Sequence, residues 1–176
     1  PAATAEQAYV GGGDDLAASF LRELKAVGGQ GERLPGIPAA LAYIERIIES
    51  SAARKILCWR HPLIDRLNLH AVLAPKGIEI LWWDDLEQLS PDERRRLSFE
   101  AHLGITSVDW AIAETGSLAL IARAGGRGRS VSLLPPVHIA LIEPSQLIPD
   151  LFDLYPLLER LPEGLPSNVT LITGPS

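Results

Sequence analysis

The sequence predicts an α/β domain of three layers built on a mostly parallel sheet. Two observations carry this expectation. Short apolar runs of strand length are interleaved with amphipathic stretches of helical spacing, and several of those runs are apolar at both alternating sets of positions. The second pattern is what a strand buried on both faces requires. With 176 residues the chain fits one domain of ordinary size, able to bury its apolar surface without disulfides or a structural metal. Residues 1–176 are therefore read as a single domain.

Asp14 and Asp15 can cap a first helix, whose Leu16, Phe20, Leu24 and Val27 recur at helical spacing before Gly28-Gly29 ends it. A second helix follows from about Pro38, with Leu41, Ile44, Ile47 and Ile48 as its apolar stripe. Lys55 to Trp59 and Gly77 to Trp83 read as strands, centred near Ile56 and Ile80. Ser90-Pro91-Asp92-Glu93 is a capping box with proline at the first helical position, which predicts a helix from Pro91 to about His102. Beyond Gly104 the runs Val108–Ala113, Ser117–Ala122, Val137–Ile142 and Val169–Thr173 read as strands separated by turns. A helix beginning near Pro149-Asp150 fits Leu151, Leu154 and Leu158, and Ala113-Glu114-Thr115-Gly116 can close an antiparallel hairpin.

A net charge of −6 opposes broad phosphate-backbone binding, so nucleic acid is not an expected partner. The basic run Arg94-Arg95-Arg96 lies among acidic neighbours and reads as a solvated helix face. Cys58 stands alone and His61, His70, His102 and His138 lack ligand spacing, which predicts no metal and no iron–sulfur cluster held by this chain. No apolar run approaches the roughly 20 residues of a membrane span, and the start lacks the basic-then-apolar order of a signal peptide. The expectation is a soluble, cytoplasmic protein. The chain contains no methionine and stops at Gly174-Pro175-Ser176 directly after a strand, so it reads as incomplete at both ends, with its C-terminus truncated. Residues 1–13 read as flexible, with Val10-Gly11-Gly12-Gly13 as a linker or as segments joined across a gap.

The sharpest chemical feature is Asp109-Trp110-Ala111-Ile112-Ala113-Glu114-Thr115-Gly116-Ser117, an acidic and hydroxyl-bearing turn between apolar strands. Two readings fit it. Thr115-Gly116 makes a hairpin turn with Glu114 in water, or Glu114 sits at a strand end as a base or an acceptor for a substrate hydroxyl. The loop Ala124-Gly125-Gly126-Arg127-Gly128-Arg129-Ser130 is either a hairpin tip or an anion cradle; it matches no P-loop or dinucleotide fingerprint. Ser132-Leu133-Leu134-Pro135-Pro136-Val137-His138 places a histidine in an apolar strand, as a satisfied core residue or a functional one.

Taken together, Gly104-Ile105-Thr106 with Asp109, Ala113 to Ser117, Ser132 to Ile139, and Ser167-Asn168-Val169-Thr170 with Thr173-Gly174-Pro175-Ser176 resemble the lactate-utilisation (LUD) domain family, LutC/YkgG group. The resemblance implies a fold like the NagB/RpiA/CoA-transferase superfamily and a part in converting L-lactate to pyruvate beside iron–sulfur partner proteins. It also implies a polar and acidic segment continuing past Ser176. The candidate site places Glu114 as the catalytic group, with Thr115, Gly116, Arg129, Ser132, His138, Asn168 and Thr173 binding a small carboxylate or other anion. Clusters are expected in the partners, and no cofactor in this chain. Two other functions stay open: a stand-alone enzyme on a phosphosugar or coenzyme A thioester, with Glu114 as base or nucleophile and Arg127 or Arg129 on the anion, and a non-catalytic carboxylate-binding module.

Overall fold

The computed structural model describes residues 13–123 and 126–174. The readings of residues 1–12, of Ala124-Gly125 and of Pro175-Ser176 lie outside those residues. In chain order the elements are α1 (Leu16–Ala26), α2 (Ile37–Ser50), β1 (Lys55–Cys58), α3 (Pro62–Asp65), α4 (Leu69–Leu73), β2 (Glu79–Trp82), α5 (Trp83–Glu87) and α6 (Pro91–Glu100). They continue with β3 (Leu103–Ser107), β4 (Trp110–Ile112), β5 (Ser117–Ile121), α7 (Ser130–Leu133), β6 (Val137–Leu141), β7 (Leu147–Ile148), α8 (Leu151–Glu159) and β8 (Val169–Ile172).

Helix starts follow local chemistry. One Asp15 carboxylate oxygen accepts from the Ala17 and Ala18 N–H groups at 3.1 Å, and Ser90 Oγ accepts from the Glu93 N–H at 3.3 Å ahead of Pro91. Asp150, buried, does the same for α8 through Phe152 and Asp153. These satisfy N–H groups that a first helical turn leaves without intrahelical acceptors.

The chain divides into two compact units. One comprises Leu34–Ser107 and Ile121–Leu141, the other Pro1–Arg33, Val108–Leu120 and Ile142–Ser176. The first unit, called the parallel unit below, holds a four-stranded sheet of order β2-β1-β3-β6 in which every pairing is parallel. Its inner strand β3 is buried at all five positions. The sequence reading did not place this strand, because Gly104, Thr106 and Ser107 dilute its apolar character. Gly104 is required there: a Cβ would overlap the Val131 carbonyl of α7.

The second unit, called the hairpin unit, holds a sheet of order β7-β4-β5-β8, with β4 antiparallel to β5 and parallel to β7. The expected α/β class with parallel strands and interleaved helices holds. The strands near Leu120 and Leu171, however, belong to this second sheet and not to the one formed around Ile56, Ile80 and Ile139. The physical reason is the four-residue connection after β4, which turns β5 back on its neighbour as the sequence anticipated for Ala113–Gly116. Among the described residues, no helix is long and apolar enough to cross a membrane.

Candidate functional site

In the hairpin unit, Ile112 pairs with Ser117, so residues 113–116 form the whole turn. The Ala113 N–H donates to the Ile148 carbonyl at 2.9 Å and the Glu114 N–H to the Pro149 carbonyl at 3.0 Å, which ties the turn to the end of β7. Gly116 has φ +65° and faces the backbone of Glu23 and Leu24 in α1, where a Cβ would overlap main-chain atoms. Glu114 is thus carried on a backbone held from both sides. Its side chain is half-buried, and its carboxylate makes no hydrogen bond or ion pair among the described residues.

Next to Glu114 the hydroxyls converge. Ser117, buried at the start of β5, lies with its Oγ 2.7 Å from Thr115 Oγ1 and 2.5 Å from Thr173 Oγ1. Thr115 and Thr173 are both exposed. Thr173 follows β8, and after it Gly174, at φ +71°, packs on the Val27 carbonyl at the end of α1. Two Thr-Gly pairs 58 positions apart therefore flank the last turn of one helix. Asn168 is not brought to them. It precedes β8, so about 15 Å of extended chain separates it from Thr173, and its Oδ1 accepts from Thr170 Oγ1 at 3.2 Å.

The remaining sequence candidates belong to the parallel unit. His138 sits on β6 opposite Gly104, its Nε2 2.8 Å from the fully buried Thr106 Oγ1. Burial pushes the imidazole down to about 4, so at neutral pH it is an uncharged hydrogen-bonding ring and no cation for an anion. Ser132 is buried and donates to the Arg129 carbonyl at 3.1 Å. Arg129 is exposed and forms no ion pair among the described residues. The expected anion cradle is described from Gly126 onward. There the Arg123 and Arg127 backbones pair as a narrow antiparallel bridge, so the Arg127 N–H is already donated to Arg123. His61 and His102 serve the backbone, accepting from the Leu63 and Lys55 N–H groups.

A cluster that the sequence reading passed over lies at the C-terminal ends of β1 and β2, where open parallel sheets place ligand groups. Trp59, buried, donates its Nε1–H to the Gly128 carbonyl at 2.9 Å, and Arg127 stands 5.5 Å over its ring. Arg60 stacks 4.0 Å from the Trp82 ring while its Nε reaches Asp84 Oδ2 at 3.2 Å. Gly128 packs so tightly on the Trp83 indole that a Cβ would overlap it. The readable signal is Trp-Arg and Trp-Trp-Asp at the ends of two predicted strands. Among the described residues, no three His, Cys, Asp or Glu side chains are grouped to hold a metal ion.

The LUD domain profile matches residues 17–176. Lactate utilization protein C of Halalkalibacterium halodurans is 35% identical over 136 residues, covering 76% of this chain and 56% of that protein. A protein of the same name from Exiguobacterium is 40% identical over 98 residues, 54% of this chain and 41% of its own length. Lactate utilization protein B of Bacillus subtilis is 25% identical over 187 residues, 77% of this chain and 39% of that protein. The chain spans about half the length of the curated relatives it matches. In three dimensions it is similar to a DUF162 family protein from Deinococcus radiodurans, with a TM-score of 0.68 at 20% identity, over 91% of this chain and 87% of that one. That likeness concerns the fold.

Proposed function

We propose that this chain, which belongs to the LUD domain family, serves in lactate utilisation as a subunit of a system that oxidises L-lactate to pyruvate with iron–sulfur partner proteins. The observation that carries the reading is that proteins named lactate utilization protein C and lactate utilization protein B both match it. Oxidising the alcohol of lactate removes two electrons and two protons. Glu114 suits one of those two protons, since its carboxylate is half-buried and has no internal partner to neutralise it among the described residues. Thr115 and Thr173 are the adjacent groups for binding the substrate, with Gly116 holding the turn in place.

In the parallel unit, Arg129 is the exposed cation suited to an anionic ligand, while the Ser132 hydroxyl and the His138 ring are engaged in internal hydrogen bonds. The two electrons and the other proton leave to an acceptor in the partner proteins. The chain's one cysteine, Cys58, is buried, and burial raises its thiol far above the ordinary range. The proposed setting is the cytoplasm, where such a thiol stays reduced.

The test is lactate oxidation by cells lacking the chain, with co-purification of the tagged protein after growth on lactate. Activity is expected to vanish and to return with the wild-type chain. Glu114→Gln, nearly isosteric, is expected to keep the fold but to lower activity by roughly 100-fold. Normal growth on lactate without the chain, or full turnover by the isolated chain without partners, would overturn the reading.

A further inference from the structure

We propose that Thr115, Ser117 and Thr173 act as one polarised hydroxyl chain, offering a hydrogen-bond donor at one exposed threonine and an acceptor at the other, and that this pair recognises a 2-hydroxycarboxylate. The inference rests on the lactate reading above and deepens it by naming how the substrate class is told apart. Ser117 thereby becomes a positioning residue for the reaction.

Ser117 is 5% exposed, and its Oγ has Thr115 at 2.7 Å and Thr173 at 2.5 Å as its only partners among the described residues. Each hydroxyl owns a single proton. Were both threonines to donate to Ser117, the buried serine proton would meet no acceptor, an arrangement folded proteins avoid. Ser117 therefore donates to one threonine and accepts from the other. The threonine that receives keeps its own proton for an outside acceptor. The threonine that donates inward shows only lone pairs to the outside.

This polarity fits a ligand that presents an acceptor and a donor side by side. A carboxylate oxygen can only accept, whereas the hydroxyl on the adjacent carbon can donate. A 2-hydroxy acid satisfies both threonines at once. A plain carboxylate satisfies one of them, and so does a 2-oxo acid, which has no donor. The spacing is preset, because Gly116 and Gly174 seat the two turns on Leu24 of α1 and on Val27 directly after it, through contacts that leave no room for a Cβ. Groups fixed before binding lose little entropy when a ligand arrives.

The experiment titrates the full chain with L-lactate, pyruvate and propionate by NMR, for wild type, Ser117→Ala, Thr173→Val and Thr173→Ser, with a thermal melt of each. Wild type is expected to prefer lactate over propionate by about tenfold, the scale of one added hydrogen bond to the ligand. Ser117→Ala and Thr173→Val are expected to bring that preference close to one, while Thr173→Ser, which keeps the hydroxyl, retains it. Thr173 is exposed, so its valine and serine variants decide the matter even if Ser117→Ala fails to fold. No preference in wild type, or a preference untouched in Thr173→Val, overturns the proposal; so does a lowered melting temperature with binding unchanged in Ser117→Ala. Failure of the lactate reading is seen elsewhere: normal growth on lactate without the chain leaves a measured hydroxy-acid preference standing.

Discussion

The turn between β4 and β5 and the ends of β1 and β2 use the same device for close approach and finish it with different chemistry. At the turn, Gly116 and Gly174 let main chain touch main chain, and the gap is closed by three small hydroxyls whose outer two are exposed. At the ends of β1 and β2, Gly128 lets main chain touch an indole, and the edge is closed by Trp59 and Trp83, both buried. Small polar groups leave hydrogen-bonding capacity facing outward. Large aromatic groups consume it, as when Trp59 Nε1–H is donated to the Gly128 carbonyl. A sheet edge sealed with hydroxyls is thus suited to bind, and one sealed with indoles is suited to hold a loop.

The comparison breaks first at its glycines. Gly116→Ala places a Cβ on the α1 backbone at a residue with φ +65° and is expected to destabilise by about 2–4 kcal/mol, combining left-handed strain with overpacking. Gly104→Ala, which meets the Val131 carbonyl at an ordinary φ, is expected to cost less, about 1–3 kcal/mol. Denaturant melts of the two variants check the order. Equal or reversed losses would mean that α1 yields more easily than α7.

Trp59→Phe sharpens the other half. It keeps most of the buried ring and removes the Nε1–H donated to Gly128, so a loss of about 1 kcal/mol is expected. Limited proteolysis after Arg127 and Arg129 should rise in parallel. A stable, protease-resistant variant would show that the indole's hydrogen bond does not hold the loop.

The smallest effect is one of pH. Folded His138 resists protonation down to about 4, whereas unfolded histidine takes a proton near 6.5. Between those values the unfolded chain binds more protons, so the stability that His138 contributes is present above about 6.5 and falls as the pH drops toward 4. His138→Asn is expected to flatten the decline of Tm across that window. An acid limb as steep as that of wild type would assign the decline to other groups.

By itself the sequence determined most of the elements and the place of the polar turn. Asp15, Ser90-Pro91 and Asp150 announce helix starts because a capping side chain reaches N–H groups only two or three residues away. Ala113-Glu114-Thr115-Gly116 announces a hairpin for the same reason: its geometry is complete within four residues. Strand β3 escaped notice because its burial comes from partners, Ile56 to Cys58 on one side and Val137 to Leu141 on the other, and not from its own apolar content. The division of the strands between two sheets, the joining of Ser117 to Thr173 across 56 positions and the seating of Trp59 on Gly128 across 69 were decided only by tertiary structure. Those contacts close long loops, and no local periodicity records which distant residue a hydroxyl or an indole will meet.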